Sequence, residues 1–129
     1  DRAMLGSTVK VFADVAVKHS APLAPRDLAQ EVLEAIERGR ADAVILSGAA
    51  TGRETSPERV REAKAVARAT PVLVGSGVTV ENVADILRVA DGVIVGTFFK
   101  REGIVHHPVD VERVKTFMRA VARVRERLP

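Results

Sequence analysis

The chain has 129 residues, 47% of them hydrophobic and 29% charged, with a formal net charge of +3; this is the composition of a globular protein, not of a disordered one. It has no cysteine, and four phenylalanines are its only aromatics, so disulfides and thiolate chemistry are excluded and no platform exists for stacking nucleic-acid bases. No apolar run reaches the ~20 residues that a membrane-spanning helix needs, and residues 1–4 do not read as the start of a secretory leader.

Residues 1–6 read as the tail of a helix that begins further upstream. A β-branched run at 9–15 follows and predicts a strand. Pro25 sits where a first helical residue would, and Leu28, Ala29, Val32, Leu33 and Ile36 then recur at helical spacing until Gly39 stops them. A second strand is predicted at 43–47, and the small, polar residues 47–55 make a long loop. Ser56-Pro57 is an N-cap with proline behind it, leading into Val60, Ala63 and Ala67. A third strand spans 71–75, and Thr79 is the expected cap of a short helix carrying Val83, Ile86 and Leu87. The fourth strand covers 92–96. After a turn at Gly103, Asp110 caps a last helix with Val111, Val114, Phe117, Met118, Val121 and Leu128 on one stripe.

Strand and helix thus alternate four times, which predicts an α/β chain with parallel strands and right-handed crossovers. Residues 1–129 read as a single domain without a linker. Two architectures fit: half of a (β/α)8 TIM barrel, or a flavodoxin-like open parallel sheet. The count of strands favours the half-barrel, because an open sheet of this size has five and a whole barrel needs about 250 residues. Such a half leaves raw strand edges. It is expected to cover them by self-association or with a missing N-terminal half.

The glycine turns carry the most chemistry. In 72–79 a strand runs into Gly75-Ser76-Gly77 and at once into a helix, and Gly96-Thr97-Phe98 repeats the device after the next strand. Glycine lets successive amides converge on one anion, and in (β/α)8 barrels the loops after the last two strands are the usual phosphate cradle. Gly75, Ser76, Gly77, Gly96, Thr97 and Phe98 are therefore the expected phosphate-binding residues. Phe98, Phe99 and Lys100 pack the root of their loop, with Lys100 near the anion. At the end of the first strand Asp14, Lys18 and His19 bring an acid, an amine and an imidazole together, suited to acid–base work or to a Schiff-base lysine. Ser47, Gly48, Thr51 and Gly52 belong to a loop of the kind that closes over ligands. His106 and His107 diverge on an extended segment and lack a third ligand at metal spacing, so neither a metal nor another cofactor is expected.

The basic residues Arg113, Lys115, Arg119, Arg123, Arg125 and Arg127 cluster on the last helix; they are read as a solvated face, not as a nucleic-acid site, with peripheral membrane contact left open. Absence of cysteine suits a cytoplasmic address. One Asn and one Gln beside abundant Arg and Glu point to a thermophilic source.

The blocks Phe12-Ala13-Asp14-Val15, Val17-Lys18-His19, 43–52, 72–83, Asp91-Gly92 through Gly96-Thr97, Pro108-Val109-Asp110 and 113–118 together resemble the BtpA/SgcQ family. The resemblance implies a (β/α)8 barrel about twice this length, of which the chain would supply strands five to eight. The family is named for a role in accumulating photosystem I as a thylakoid-associated biogenesis factor, although members occur in organisms without photosynthesis. It brings no catalytic residues with it. The expected function is that of a barrel protein, an enzyme of open reaction type, binding a small phosphorylated metabolite such as a sugar or nucleoside phosphate. The alternative is a non-catalytic assembly factor for a membrane complex such as photosystem I.

Overall fold

The computed structural model describes residues 4–6, 8–15, 27–48 and 55–129. Four strands, β1 (Phe12–Val15), β2 (Ala43–Ser47), β3 (Val72–Gly75) and β4 (Gly92–Ile94), alternate with four helices, α1 (Leu28–Glu37), α2 (Pro57–Ala67), α3 (Val83–Leu87) and α4 (Val111–Arg127). The strands form one sheet in the order β1-β2-β3-β4, every pair parallel. This sequential order is that of a barrel wall. The flavodoxin-like alternative requires the order to reverse at a switch point, and it is set aside.

Sequential right-handed crossovers put the helices on one side of the sheet, and the burial pattern follows. Val44, Leu46, Val72 and Val74 point to that side and are essentially inaccessible, forming one core with Val32 of α1, Val60 and Ala63 of α2, Ile86 of α3, and Phe117 and Val121 of α4. Each such side chain contributes about 1.5–3 kcal/mol of burial. The alternate residues line the other face, which becomes the inside of the barrel. That face is only half covered: Phe12 is 55% exposed and Ile94 46%.

The caps are mostly where the residue types place them. Ser56 Oγ accepts the Arg59 amide with Pro57 opening α2, and Asp110 accepts the amides of Glu112 and Arg113. Two assignments change. Helix α1 begins at Leu28 with Asp27 as its cap, because the Asp27 carboxylate takes the Ala29 amide, and Pro25 lies outside the described residues. Thr79 does not cap α3 through its side chain; its own amide is instead held by Asn82. The outer strands are also shorter than the apolar runs that encode them. β1 and β4 have one neighbour each, so pairing stops where that neighbour's ladder stops.

Two aspartates tie the opposite end of the sheet from the glycine turns. Asp42, just before β2, accepts the Val11 amide at 2.8 Å, and Asp91, just before β4, accepts the Val72 amide at 2.8 Å. Asp91 also holds Lys64 Nζ at 2.8 and 2.9 Å, which joins α2 to the sheet. Burial by itself would raise the Asp91 pKa, but the hydrogen bonds from Lys64 and Val72 and the Lys64 charge outweigh it and hold the carboxyl below 3.8. A lowered folded-state pKa means stability that is complete above the unfolded value and is lost as pH falls through the folded one. Asp91→Ala should cost about 1–3 kcal/mol, since the amide of buried Val72 loses its partner. Urea denaturation at neutral pH measures it, and the difference between the two chains should shrink as pH drops below 3.8.

Candidate functional site

The C-terminal ends of β3 and β4 lie side by side, with Gly75 opposite Ile94. Beyond β3 the backbone passes through two consecutive left-handed residues, Ser76 and Gly77, each at φ 71°. Glycine adopts that conformation freely but serine does not, so the turn needs a clamp. Asn82 supplies one: its Oδ1 accepts the Thr79 amide and its Nδ2 donates to the Gly77 carbonyl, both at 2.8 Å. Beyond β4, Gly96 leads into a 3-10 turn, Thr97–Phe99, closed by bonds from the Phe99 amide to Gly96 O and from the Lys100 amide to Thr97 O, each 3.0 Å. Among the described residues, the amides of Ser76, Gly77, Thr97 and Phe98 donate to no protein acceptor.

These two turns form the floor of a cavity of about 730 Å³, lined by residues 76–79 and 94–98 and by Gly103, Val105 and Arg113. Its volume lies within the usual range for small-ligand sites. The far wall is a short excursion pinned by the bridge between Lys100 and Val109 and by the Arg101 amide on Pro108 O. Beneath the second turn three rings meet. Phe117 packs 5.2 Å from Phe99 and 5.8 Å from Phe98, centroid to centroid, so the turn rests on the core through α4. Unpaired amides that border an open cavity can receive an anion without losing any internal bond.

The other singled-out residues are arranged on the inner face. Asp14 of β1 accepts a hydrogen bond from Ser47 Oγ of β2 at 3.3 Å. Ser47 stands opposite Gly75, and a side chain at Gly75 would meet Ile45 at 3.2 Å and Ser47 Oγ at 3.8 Å. That glycine therefore keeps the inner face low between the Asp14–Ser47 pair and the β4 turn. Neither Asp14 nor Ser47 lines the cavity, and Lys100 does not either. Gly48 is buried behind Ser47. Lys18, His19, Thr51 and Gly52 lie outside the described residues, as does most of the 47–55 loop. Thr55, at the far root of that loop, is buried, and its hydroxyl has no partner among the described residues. His107 Nδ1 lies 3.2 Å from the Arg101 carbonyl, and among the described residues no group of three or more His, Asp and Glu is placed to hold a metal.

Two residues of the site are not evident in the motif. Asn82 clamps the first turn, and its signal was being the chain's lone asparagine, in a chain poor in amides. Arg113 lines the cavity from the first turn of α4, where a cation opposes the helix dipole; that unfavourable position was the signal.

Comparison with known proteins comes from three directions. A model of the BtpA family matches residues 1–123. The chain is 42% identical over 121 residues to the Photosystem I biogenesis protein BtpA of Synechocystis, covering 94% of this chain and 42% of that one. It is 51% identical over 110 residues to an uncharacterised protein of Archaeoglobus fulgidus, covering 85% and 42%, and 31% identical over 117 residues to the putative sgc region protein SgcQ of Escherichia coli, covering 91% and 44%. The chain thus spans less than half the length of these relatives. Among solved structures, one described as native KDPGal superposes with a TM-score of 0.66 at 23% identity, covering 97% of this chain and 54% of that one. The N-(5'-phosphoribosyl)anthranilate isomerase of Pyrococcus furiosus does so with 0.60 at 27%, covering 95% and 54%. Together with the sequential parallel sheet, these likenesses make the fold a half of a (β/α)8 barrel.

Proposed function

The chain belongs to the BtpA family, and on that footing we propose that it binds the phosphate of a small phosphorylated metabolite at the paired turns after β3 and β4. The observation that carries this reading is the set of unclaimed amides of Ser76, Gly77, Thr97 and Phe98 at one cavity floor. The isomerase that matches at 27% identity is named for a phosphoribosyl compound, which agrees in ligand class. On this reading the turns are those after strands seven and eight of the complete barrel, and 1–129 is its C-terminal half, folded as one cytoplasmic domain. The remaining strands, from another segment or a second copy, cover the inner face around Phe12 and Ile94.

The reaction centre proposed is the far side of the inner face. Asp14 and Ser47 stand two and one strands from β3, at a spacing of about 4.8 Å per strand. A ligand anchored by its phosphate and lying across the sheet would present its other end there, where Asp14, with Lys18 and His19, can move protons. Ser47, Gly48, Thr51 and Gly52 belong to the loop that would close over it.

Titrating inorganic phosphate into the ¹⁵N-labelled chain tests the anchor. The amides of Ser76, Gly77, Thr97 and Phe98 should shift together along one saturable curve. Their failure to move at high phosphate would remove the metabolite reading. The second reading, a non-catalytic assembly factor, rests on the name of the Synechocystis relative and is the one that a phosphate-blind chain would favour.

A further inference from the structure

Among the described residues Arg113 is the one cation on the wall of the cavity, and its surroundings are specific. Its Nε donates to the Phe98 carbonyl at 2.5 Å, and its guanidinium carbon lies 4.4 Å from the centroid of the Phe98 ring. The side chain is therefore held at one end by a hydrogen bond and along one face by an aromatic ring, which leaves its terminal nitrogens to be satisfied elsewhere. The first bond lands on the residue whose own amide belongs to the second glycine turn. Near its other end is Gly103, at φ 68°, where an added side chain would lie 3.6 Å from Arg113 Nη2. That is ordinary van der Waals contact, so it is the left-handed backbone at Gly103, and not crowding by the guanidinium, that calls for glycine there.

Among the described residues no carboxylate neutralises this charge. The acids adjacent in sequence are engaged elsewhere, Asp110 in capping the amides of Glu112 and Arg113, and Glu112 in pairing with Lys115 at 3.0 Å. Among the described residues Arg113 makes no ion pair. It is half-buried, it sits in the first turn of a 17-residue helix against the dipole, and it borders a cavity floored by free amides. A partly desolvated cation in that position lacks an anion.

We propose that Arg113 is the charge-recognition residue of this site, closing a clamp with the Ser76–Gly77 and Thr97–Phe98 amides around a doubly charged phosphate monoester. The inference rests on the phosphate reading above and adds the charge state of the ligand. Amides alone accept monoanions and dianions with little distinction, because they contribute dipoles and no net charge. A guanidinium adds a full charge and parallel N–H donors matched to two phosphate oxygens. The site should therefore favour a terminal monoester over a singly charged diester of similar size. Phe98 acts as a positioning residue, its carbonyl and its ring supporting the guanidinium.

Isothermal titration with methyl phosphate and dimethyl phosphate, near pH 8, needs no variant. The monoester should bind at least about tenfold more tightly, the increment expected for one charge-assisted contact. Arg113→Gln should weaken methyl phosphate by about 10- to 100-fold and bring the two esters to within a few-fold of each other. Arg113→Lys, which keeps the charge without the fork, should recover part of the preference. A purely structural role would lower the melting temperature without phosphate yet leave the preference between esters intact. Equal affinity of the unsubstituted chain for both esters overturns the inference while leaving the phosphate cradle standing. Absence of binding by either ester overturns the cradle and the inference together.

Discussion

Phe117→Ala lowers the stability of the chain by about 3–5 kcal/mol, the range for truncating a buried aromatic. The magnitude follows from position. Phe117 is 2% exposed on the inward stripe of α4 and belongs to the core that joins all four helices to the sheet. Its ring is also the contact that both Phe98 and Phe99 share, at 5.8 and 5.2 Å. Truncation leaves a cavity beneath the turn that carries the Thr97 and Phe98 amides. A loss of that size is a large part of the ~5–15 kcal/mol that keeps a domain folded. Guanidinium denaturation should show the midpoint falling sharply with little change of slope, and a loss below about 1 kcal/mol would contradict the packing described for α4. Phe117→Leu, which refills most of the volume, should lose much less.

Gly77→Val nearly abolishes phosphate binding with a smaller effect on folding. Gly77 sits at φ 71° beside Ser76, also at 71°, and a β-branched residue resists that conformation strongly. The strain is relieved by rotating the peptide planes of the turn, which turns the Ser76 and Gly77 amides away from the cavity and pulls on the Asn82 clamp at the Gly77 carbonyl. Losing two amide contacts to an anion, each worth about 1.5–3 kcal/mol, weakens binding by at least about 100-fold. Gly77→Ala, with a smaller side chain, should fall between. Phosphate-induced protection against thermal unfolding measures the loss, and protection equal to that of the unsubstituted chain would show that this turn does not hold the anion.

Several features of the protein are local and were legible in the order of residues. The alternation of β-branched runs with capped amphipathic stretches encodes four βα units, and Ser56, Pro57 and Asp110 start helices where their side chains can accept or spare the first amides. The paired Gly-Ser-Gly and Gly-Thr-Phe turns mark where backbone can approach a ligand. Other features were out of reach. A barrel wall and a doubly wound sheet have the same local periodicity, so only the pairing β1-β2-β3-β4 distinguishes them.

The sequence by itself thus determined the elements, the caps at Ser56 and Asp110 and the two glycine turns, since each depends on side chains within a few positions of the backbone they act on. The tertiary structure alone decided the strand order, the meeting of Asp14 with Ser47 across 33 positions, and the placing of Arg113 on Phe98 across 15. Those are contacts between segments that hydrophobic burial brings together, and their geometry is set by how strands register and helices pack. No propensity of the residues taken singly contains it.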